Sequence, residues 1–107
     1  MNKSESIEDL KNQMDTIPEW KKVNSIEKSF FPDHEFLIRE YKFKSDKATS
    51  QFIFKVLEEA EKENHHPLLI FEWHKVTLSW STHDQKSITD KDFRLAKLSD
   101  EIYSKIN

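Results

Sequence analysis

The sequence predicts an α+β fold: a two-layer sandwich in which three helices cover one face of a four-stranded antiparallel sheet, in the order α-β-β-α-β-β-α. Three observations carry that expectation. Apolar residues recur at helical spacing in Ala48–Ala60 and again from Leu95 to Ile106. Two pairs of aromatic- and branched-rich segments are each broken by a short turn signal, the pattern of two hairpins. The chain has 107 residues, which suits one domain over 1–107 with a real hydrophobic core.

Taken in order, Ser6 is placed to cap a first helix, with Asp9 as its partner and Ile7, Leu10, Met14 and Ile17 as its apolar stripe. Pro18 ends that helix, and Trp20 folds back on the core. "VNSIEKSF" and "EFLIREYKF" form the first hairpin, turning at Phe31–His34. In the second of these strands the face carrying Tyr41 and Phe43 is taken as the core face.

A second helix starts at Ser45 or Asp46. Ala48, Phe52, Val56 and Ala60, with Ile53 and Leu57, give it a wide apolar stripe. The chain contains no glycine, so Asn64 is the natural left-handed residue to close this helix. "LLIFEW" and "KVTLSWST" form the second hairpin, turning near His74. Val76, Leu78 and Trp80 alternate with Thr77, Ser79 and Ser81, giving one apolar and one polar face. His83 ends that strand. The last helix begins at about Asp90, with Thr89 as cap, Asp92 completing a capping box and Ile88 stapling to Phe93. Such a sheet leaves edges to be covered, which favours an oligomer built by edge contact.

Composition removes several classes of function. Acidic residues number 20 against 17 basic, a net charge of −3, the wrong sign for a nucleic-acid footprint. The absence of glycine excludes Gly-rich phosphate loops. No apolar run reaches the length of a signal peptide or membrane span, and there are no cysteines, so a soluble cytoplasmic protein without membrane contact is expected.

The chemistry-bearing stretch is "EKENHHPLL", Glu61 to Leu69. The predicted topology brings His65 and His66, just past a helix end, to the same sheet rim as His83. Glu61 lies one helical turn before His65. Imidazole titrates near neutral pH, so two of them can supply an acid and a base to one substrate. Bland readings exist for each residue. The histidine pair suits a helix C-terminus, Asp92 is explained as a cap, Glu61 as a solvated helix residue, and His34 and His74 as turn residues without function. Three histidines and a glutamate are also an acceptable zinc set, although neighbouring residues point different ways and no His-Glu-x-x-His helix is present.

At these positions the sequence resembles the pterin-4a-carbinolamine dehydratases. Glu61, His65, His66, Pro67, Trp73, His83 and Asp92 match that family's spaced pattern, and "STHD", Ser81 to Asp84, resembles its strand end. Trp20 and "FRLAKLSDEI" extend the likeness over most of the chain. Three features depart from the usual pattern: the loop "DQKSITDKD" has no glycine, Asn64 stands where many members have Asp, and the first hairpin is long, with "FFPDHE" at its tip.

The resemblance implies the sandwich fold already described. It also implies dehydration of 4a-hydroxytetrahydropterin to quinonoid dihydropterin, in recycling of the pterin used by aromatic amino-acid hydroxylases. Neither a metal nor an organic cofactor is implied. Carried over, His65, His66 and His83 are the catalytic histidines, with His65 and His83 as the active pair and Glu61 orienting a histidine. Asn64, His65 and His66, with Ser81, Thr82, His83 and Asp84, would hold the pterin. Dimers or tetramers are usual for this fold. The competing expectations are a non-catalytic dimerisation or binding module on the same fold, and a zinc-dependent hydrolase.

Overall fold

The structure, a computed structural model, describes residues 7–27, 29 and 33–106. The first helix, α1 (Ile7–Asp15), is short. Its last turns are continued by two tight backbone hydrogen bonds, Thr16 N–H to Gln13 O and Ile17 N–H to Met14 O, at 3.0 and 3.1 Å. These drop Ile17 into the core just before Pro18 prevents further helix. Ser6 and the side chain of Ile7, expected in the cap and the stripe, lie outside the described residues.

Trp20 then leads into β1 (Lys21–Val23), which pairs with β2 (Phe36–Lys42) from Lys21↔Ile38 to Val23↔Phe36. The first strand is therefore earlier and shorter than "VNSIEKSF" suggests. Beyond Val23 the apolar residues come at Ile26 and then Phe30, a spacing that does not alternate and so cannot keep one face on a core. Asn24–Glu27 is accordingly not strand, and Phe30, Phe31 and Pro32 lie outside the described residues.

Helix α2 (Asp46–Glu63) begins where the Ser45 hydroxyl accepts the Ala48 N–H, 3.1 Å. It ends on Asn64 in the left-handed conformation, φ 50° and ψ 43°. Phe52, Val56 and Ala60 are buried as the stripe predicts, together with Thr49. Leu57 is not: the buried stripe is narrower than expected, leaving it 44% exposed. The second hairpin is β3 (Leu68–Glu72) and β4 (Lys75–Trp80), turning at Trp73–His74. His74 supplies a positive φ there, as Lys86 does after His83. In a chain without glycine, non-glycine residues must bear these left-handed positions.

The last helix, α3 (Asp90–Ser104), has the expected Thr89–Asp92 capping box. The sheet order is β1-β2-β4-β3 and every pairing is antiparallel. Directly paired residues share a face, so Leu37, Arg39 and Tyr41 stand with Trp80, Leu78 and Val76. That is the face chosen from sequence, and the helices cover it: the core joins Leu37, Tyr41, Val76, Leu78 and Trp80 to Phe52, Val56, Phe93 and Leu95.

A polar knot fastens α3 to the sheet. The Asp100 carboxylate accepts hydrogen bonds from the Trp20 indole (3.0 Å), the Arg39 guanidinium (2.7 Å) and the Tyr41 hydroxyl (2.5 Å). Burial, then the hydrogen bond to Asp100 and that carboxylate's charge, push the Tyr41 hydroxyl far above the usual phenol range, so it stays a donor. No helix among the described residues is long and apolar enough to cross a membrane.

Candidate active site

Two chain segments build the site on one end of the sheet. The first is the exit from α2. Asn64 turns the chain left-handed, its N–H and that of His65 still bonded to Glu61 O and Ala60 O at 3.1 and 3.0 Å. Pro67 then commits the chain to strand. The second follows β4. The strand stops at Trp80, and His83 opens a single 3₁₀ turn, His83–Gln85, rather than closing the strand as expected. The turn is local and self-contained: Gln85 N–H bonds Thr82 O, Lys86 N–H bonds His83 O, and Thr82 pairs with Ser87 across it. Two residues beyond Trp80 the backbone bonds inward on itself, so no strand partner remains to extend β4.

The adjacent histidines diverge. His65 lies on the helix side. Its ring is stacked on Trp80, centroids 6.1 Å apart and planes 14° from parallel. Its Nε2 sits 2.7 Å from Asp92 Oδ1, with the two side chains 10% and 0% exposed. An ionised carboxylate only accepts, so His65 Nε2 carries the hydrogen in this pair. Asp92 serves several donors at once: Oδ2 also accepts the Thr89 N–H (2.9 Å) and the Thr82 hydroxyl (2.7 Å). The cap inferred from sequence is real, and the same carboxylate also anchors a site histidine.

His66 lies on the open face. Its Nε2 is 3.2 Å from Glu61 Oε1, so Glu61 addresses His66 rather than the histidine one turn along the helix. Both side chains are largely solvated, which makes this a contact that orients more than it stabilises.

On that open face a cleft of about 140 Å³ is lined by Phe36, His66, Pro67, Leu68, Ser79, Ser81 and His83, with Ser29 at its border. Phe36, Pro67 and Leu68 supply apolar walls, and His66 and His83 supply imidazoles. Ser79 and Ser81 are 1% and 2% exposed, and neither hydroxyl has a hydrogen-bond partner among the described residues. The strand's polar alternation therefore does not face solvent, as its pattern suggests; it underlies the cleft. Orphaned buried hydroxyls are uncommon because each forfeits its hydration, and here both lie at a cleft that also holds two histidines.

His83 is held below the ordinary histidine range. Burial is the main cause, followed by the charges of His34 and His65, with Asp92 and Asp84 opposing. His34, given no function from sequence, packs against it: their Nδ1 atoms are 3.5 Å apart and their ring centroids 5.5 Å. Neither His34 nor Ser79 could be read from local pattern. His34 sits in a turn signal and Ser79 on an alternation that imitates a solvated face. The available hints were five histidines in a small chain and the pairing of Ser79 with Ile38 and Leu68, which only the sheet register reveals.

The remaining candidates occupy supporting places. Asn64 closes the helix, Thr82 is engaged with Asp92 and Thr89, and Asp84 lies exposed on the 3₁₀ turn. Trp73 stands in the hairpin turn, 78% exposed and stacked on His74, and does not line the cleft. Among the described residues no three His, Asp or Glu side chains gather in a group that could hold a metal ion, because His65 and His66 take opposite faces of the sheet.

Comparison with known proteins places the chain among relatives. The sequence profile described as "Pterin 4 alpha carbinolamine dehydratase" matches residues 3–102. A candidate pterin-4-alpha-carbinolamine dehydratase of Microcystis aeruginosa is 42% identical over 91 residues, covering 85% of this chain and 73% of that protein. Another, from a Picosynechococcus strain, is 35% identical over 95 residues, covering 88% and 91%. The crystal structure of a transcriptional coactivator/pterin dehydratase from Brucella melitensis superposes with a TM-score of 0.80 at 22% identity, over 95% of this chain and 99% of that one. A pterin dehydratase-like protein described as a RuBisCO assembly factor in the alpha-carboxysome superposes at 0.63 with 15% identity, over 78% and 88%. The two structures share the fold; the family profile and the sequence relatives go further, and this chain belongs to the pterin-4a-carbinolamine dehydratase family.

Proposed function

We propose that the protein dehydrates a 4a-hydroxytetrahydropterin to quinonoid dihydropterin by histidine general acid–base catalysis, the 4a-hydroxytetrahydrobiopterin dehydratase reaction. The observation that carries this reading is the meeting of His66 and His83 in an apolar-walled cleft, with His65 anchored behind it by Asp92. Loss of water from a carbinolamine breaks the C–O bond as the hydroxyl takes a proton, while a ring N–H gives one up and a C=N bond forms. That chemistry asks for one acid and one base on a flat heterocycle. Imidazoles near neutral pH suit both, and walls of Phe36, Pro67 and Leu68 suit the ring's faces. In this reading His65, His66 and His83 are the acid–base set, Glu61 orients His66, and Ser81 binds the pterin. Asn64, Thr82 and Asp84 shape the backbone around it. The test is the rate of dehydration of a 4a-hydroxytetrahydropterin with and without the purified protein: acceleration supports the reading, and none would overturn it.

Ser81 gives a prediction of unusual sign. Its buried hydroxyl lacks a partner among the described residues, so Ser81→Ala removes a polar group that costs about 1–3 kcal/mol to bury without a hydrogen bond. The variant is expected to melt at the same or a higher temperature while its KM for the pterin rises several-fold. A lower melting temperature with unchanged KM would remove Ser81 from the site.

The substrate would come from a hydroxylation that leaves a 4a-carbinolamine behind, as in aromatic amino-acid hydroxylation, with the enzyme acting in the cytoplasm as a single domain. Assembly into dimers or tetramers is proposed through the β3 edge. Among the described residues that strand pairs on one side only, and Phe71 and Trp73 stand exposed at 55% and 78%. Light scattering that returns a monomer mass would contradict it.

The second reading is a non-catalytic binding module. It draws on the two fold neighbours whose names carry coactivator and assembly roles. A module of that kind has no use for a carboxylate-anchored histidine beside a second pair of imidazoles. Unaltered partner binding by a triple His65, His66 and His83 alanine variant, together with an inactive parent, would favour it.

A further inference from the structure

We propose that His34 is a positioning residue for His83: it holds the Nδ1 edge of that ring and so directs Nε2 to any ligand in the cleft. This rests on the dehydratase reading above and assigns His83 the base's part in it.

The arrangement is built from both sides. His34 is 6% exposed, and its ring is stacked on Phe36, a wall of the cleft, with planes 28° apart. The next residue is tied to the turn that carries His83: Glu35 N–H donates to Lys86 O at 3.3 Å. His34 and His83 are thus brought together by backbone as well as by their rings, whose Nδ1 atoms lie 3.5 Å apart.

Two imidazole nitrogens that face one another are matched when one carries hydrogen and the other a lone pair. Where His83 donates from Nδ1, His34 accepts, and Nε2 of His83 keeps the lone pair that a base needs. A carboxylate in the place of His34 would hold the same tautomer but favour the imidazolium. A second imidazole orients without that charge, and once protonated it opposes a second proton on its neighbour. Among the described residues the groups facing His83 are His34 from the segment before β2, His65 from the end of α2, Asp92 from α3, Asp84 from its own turn and His66 across the cleft. Burial, with the charges of His34 and His65 against those of Asp92 and Asp84, holds His83 below the ordinary histidine range, so it is neutral and ready to accept a proton at neutral pH. With His83 as the base, the acid's part falls to the other imidazoles of the set, His65 and His66.

The test compares the parent with His34→Phe, which keeps an apolar aromatic volume, and His34→Gln, which keeps an acceptor. His83 is followed by NMR titration and by the pH profile of kcat/KM. In His34→Phe the opposing charge of His34 is lost while the burial that dominates remains, so the His83 titration and the acid limb are expected to move up together by part of their depression. kcat is expected to fall about tenfold, the worth of one orienting hydrogen bond, with KM little changed. His34→Gln is expected to recover most of kcat. An unchanged His83 titration in both variants overturns the inference whatever the activity. A shifted titration in a protein whose parent shows no dehydration overturns the activity reading and leaves the His34–His83 coupling standing.

Discussion

His83→Ala is expected to lower the dehydration rate roughly 10²–10⁴-fold, the usual contribution of a positioned general acid or base, without loss of stability. The stability half follows from how the residue is held. The 3₁₀ turn at His83–Gln85 closes through backbone bonds from Gln85 to Thr82 and from Lys86 to His83, and the Thr82–Ser87 pairing lies beneath it. None of these uses the imidazole. The rate half follows from place, since His83 shares the cleft with His66. Its depressed pKa sets the sign of the pH dependence: the base is free above its pKa and lost as pH falls through it. The acid limb of kcat/KM in the parent should therefore lie below the ordinary histidine value of about 6.5. Stopped-flow rates and a denaturation curve on the variant check both halves. An unchanged rate would remove His83 from the mechanism.

Asp92→Ala is expected to be the most damaging single change to both fold and activity. The carboxylate is completely buried and serves His65 Nε2, the Thr89 N–H and the Thr82 hydroxyl. Removing it leaves those donors inside the protein without an acceptor and breaks a buried pair, a loss of about 3–5 kcal/mol. Against a net stability of about 5–15 kcal/mol for a domain, that is a large fraction. Asp92→Asn keeps the shape and one acceptor oxygen but not the charge, so it should fold better than the alanine variant. His65 would still lose part of its anchor, and activity should remain low. Urea denaturation with kinetics on the same samples separates the two effects. An Asp92→Asn variant as active as the parent would show that the His65–Asp92 pair serves stability alone.

What the sequence disclosed was whatever local geometry decides. The stripe of α2, its stop at Asn64 and the Thr89–Asp92 box each depend on neighbours within one helical turn, and each stands where its residues placed it. The first strand was misplaced because its identity is conferred by β2. Lys21–Val23 is too short to show a period of its own, and it is strand because Ile38, Leu37 and Phe36 lie opposite. The same division runs through the site. The spacing of His65, His66 and His83 was readable as a family pattern, but which carboxylate meets which ring was not. Asp92 reaches His65 across 27 positions of sequence, and His34 reaches His83 across 49. Such contacts exist only once sheet register and helix docking are fixed. Ser79 shows how a local rule can mislead: polar alternation predicts solvent, while in the folded chain the cleft and its walls take the solvent's place.

The central claim is that the histidines of this cleft dehydrate a 4a-carbinolamine. The most direct measurement is the stopped-flow dehydration of a freshly generated 4a-hydroxytetrahydropterin by the parent protein, alongside His83→Ala at equal concentration. The account predicts a rate that rises in proportion to parent enzyme and falls by two or more orders of magnitude in the variant. A rate no greater than the uncatalysed one for the parent, or equal rates for parent and variant, would contradict it.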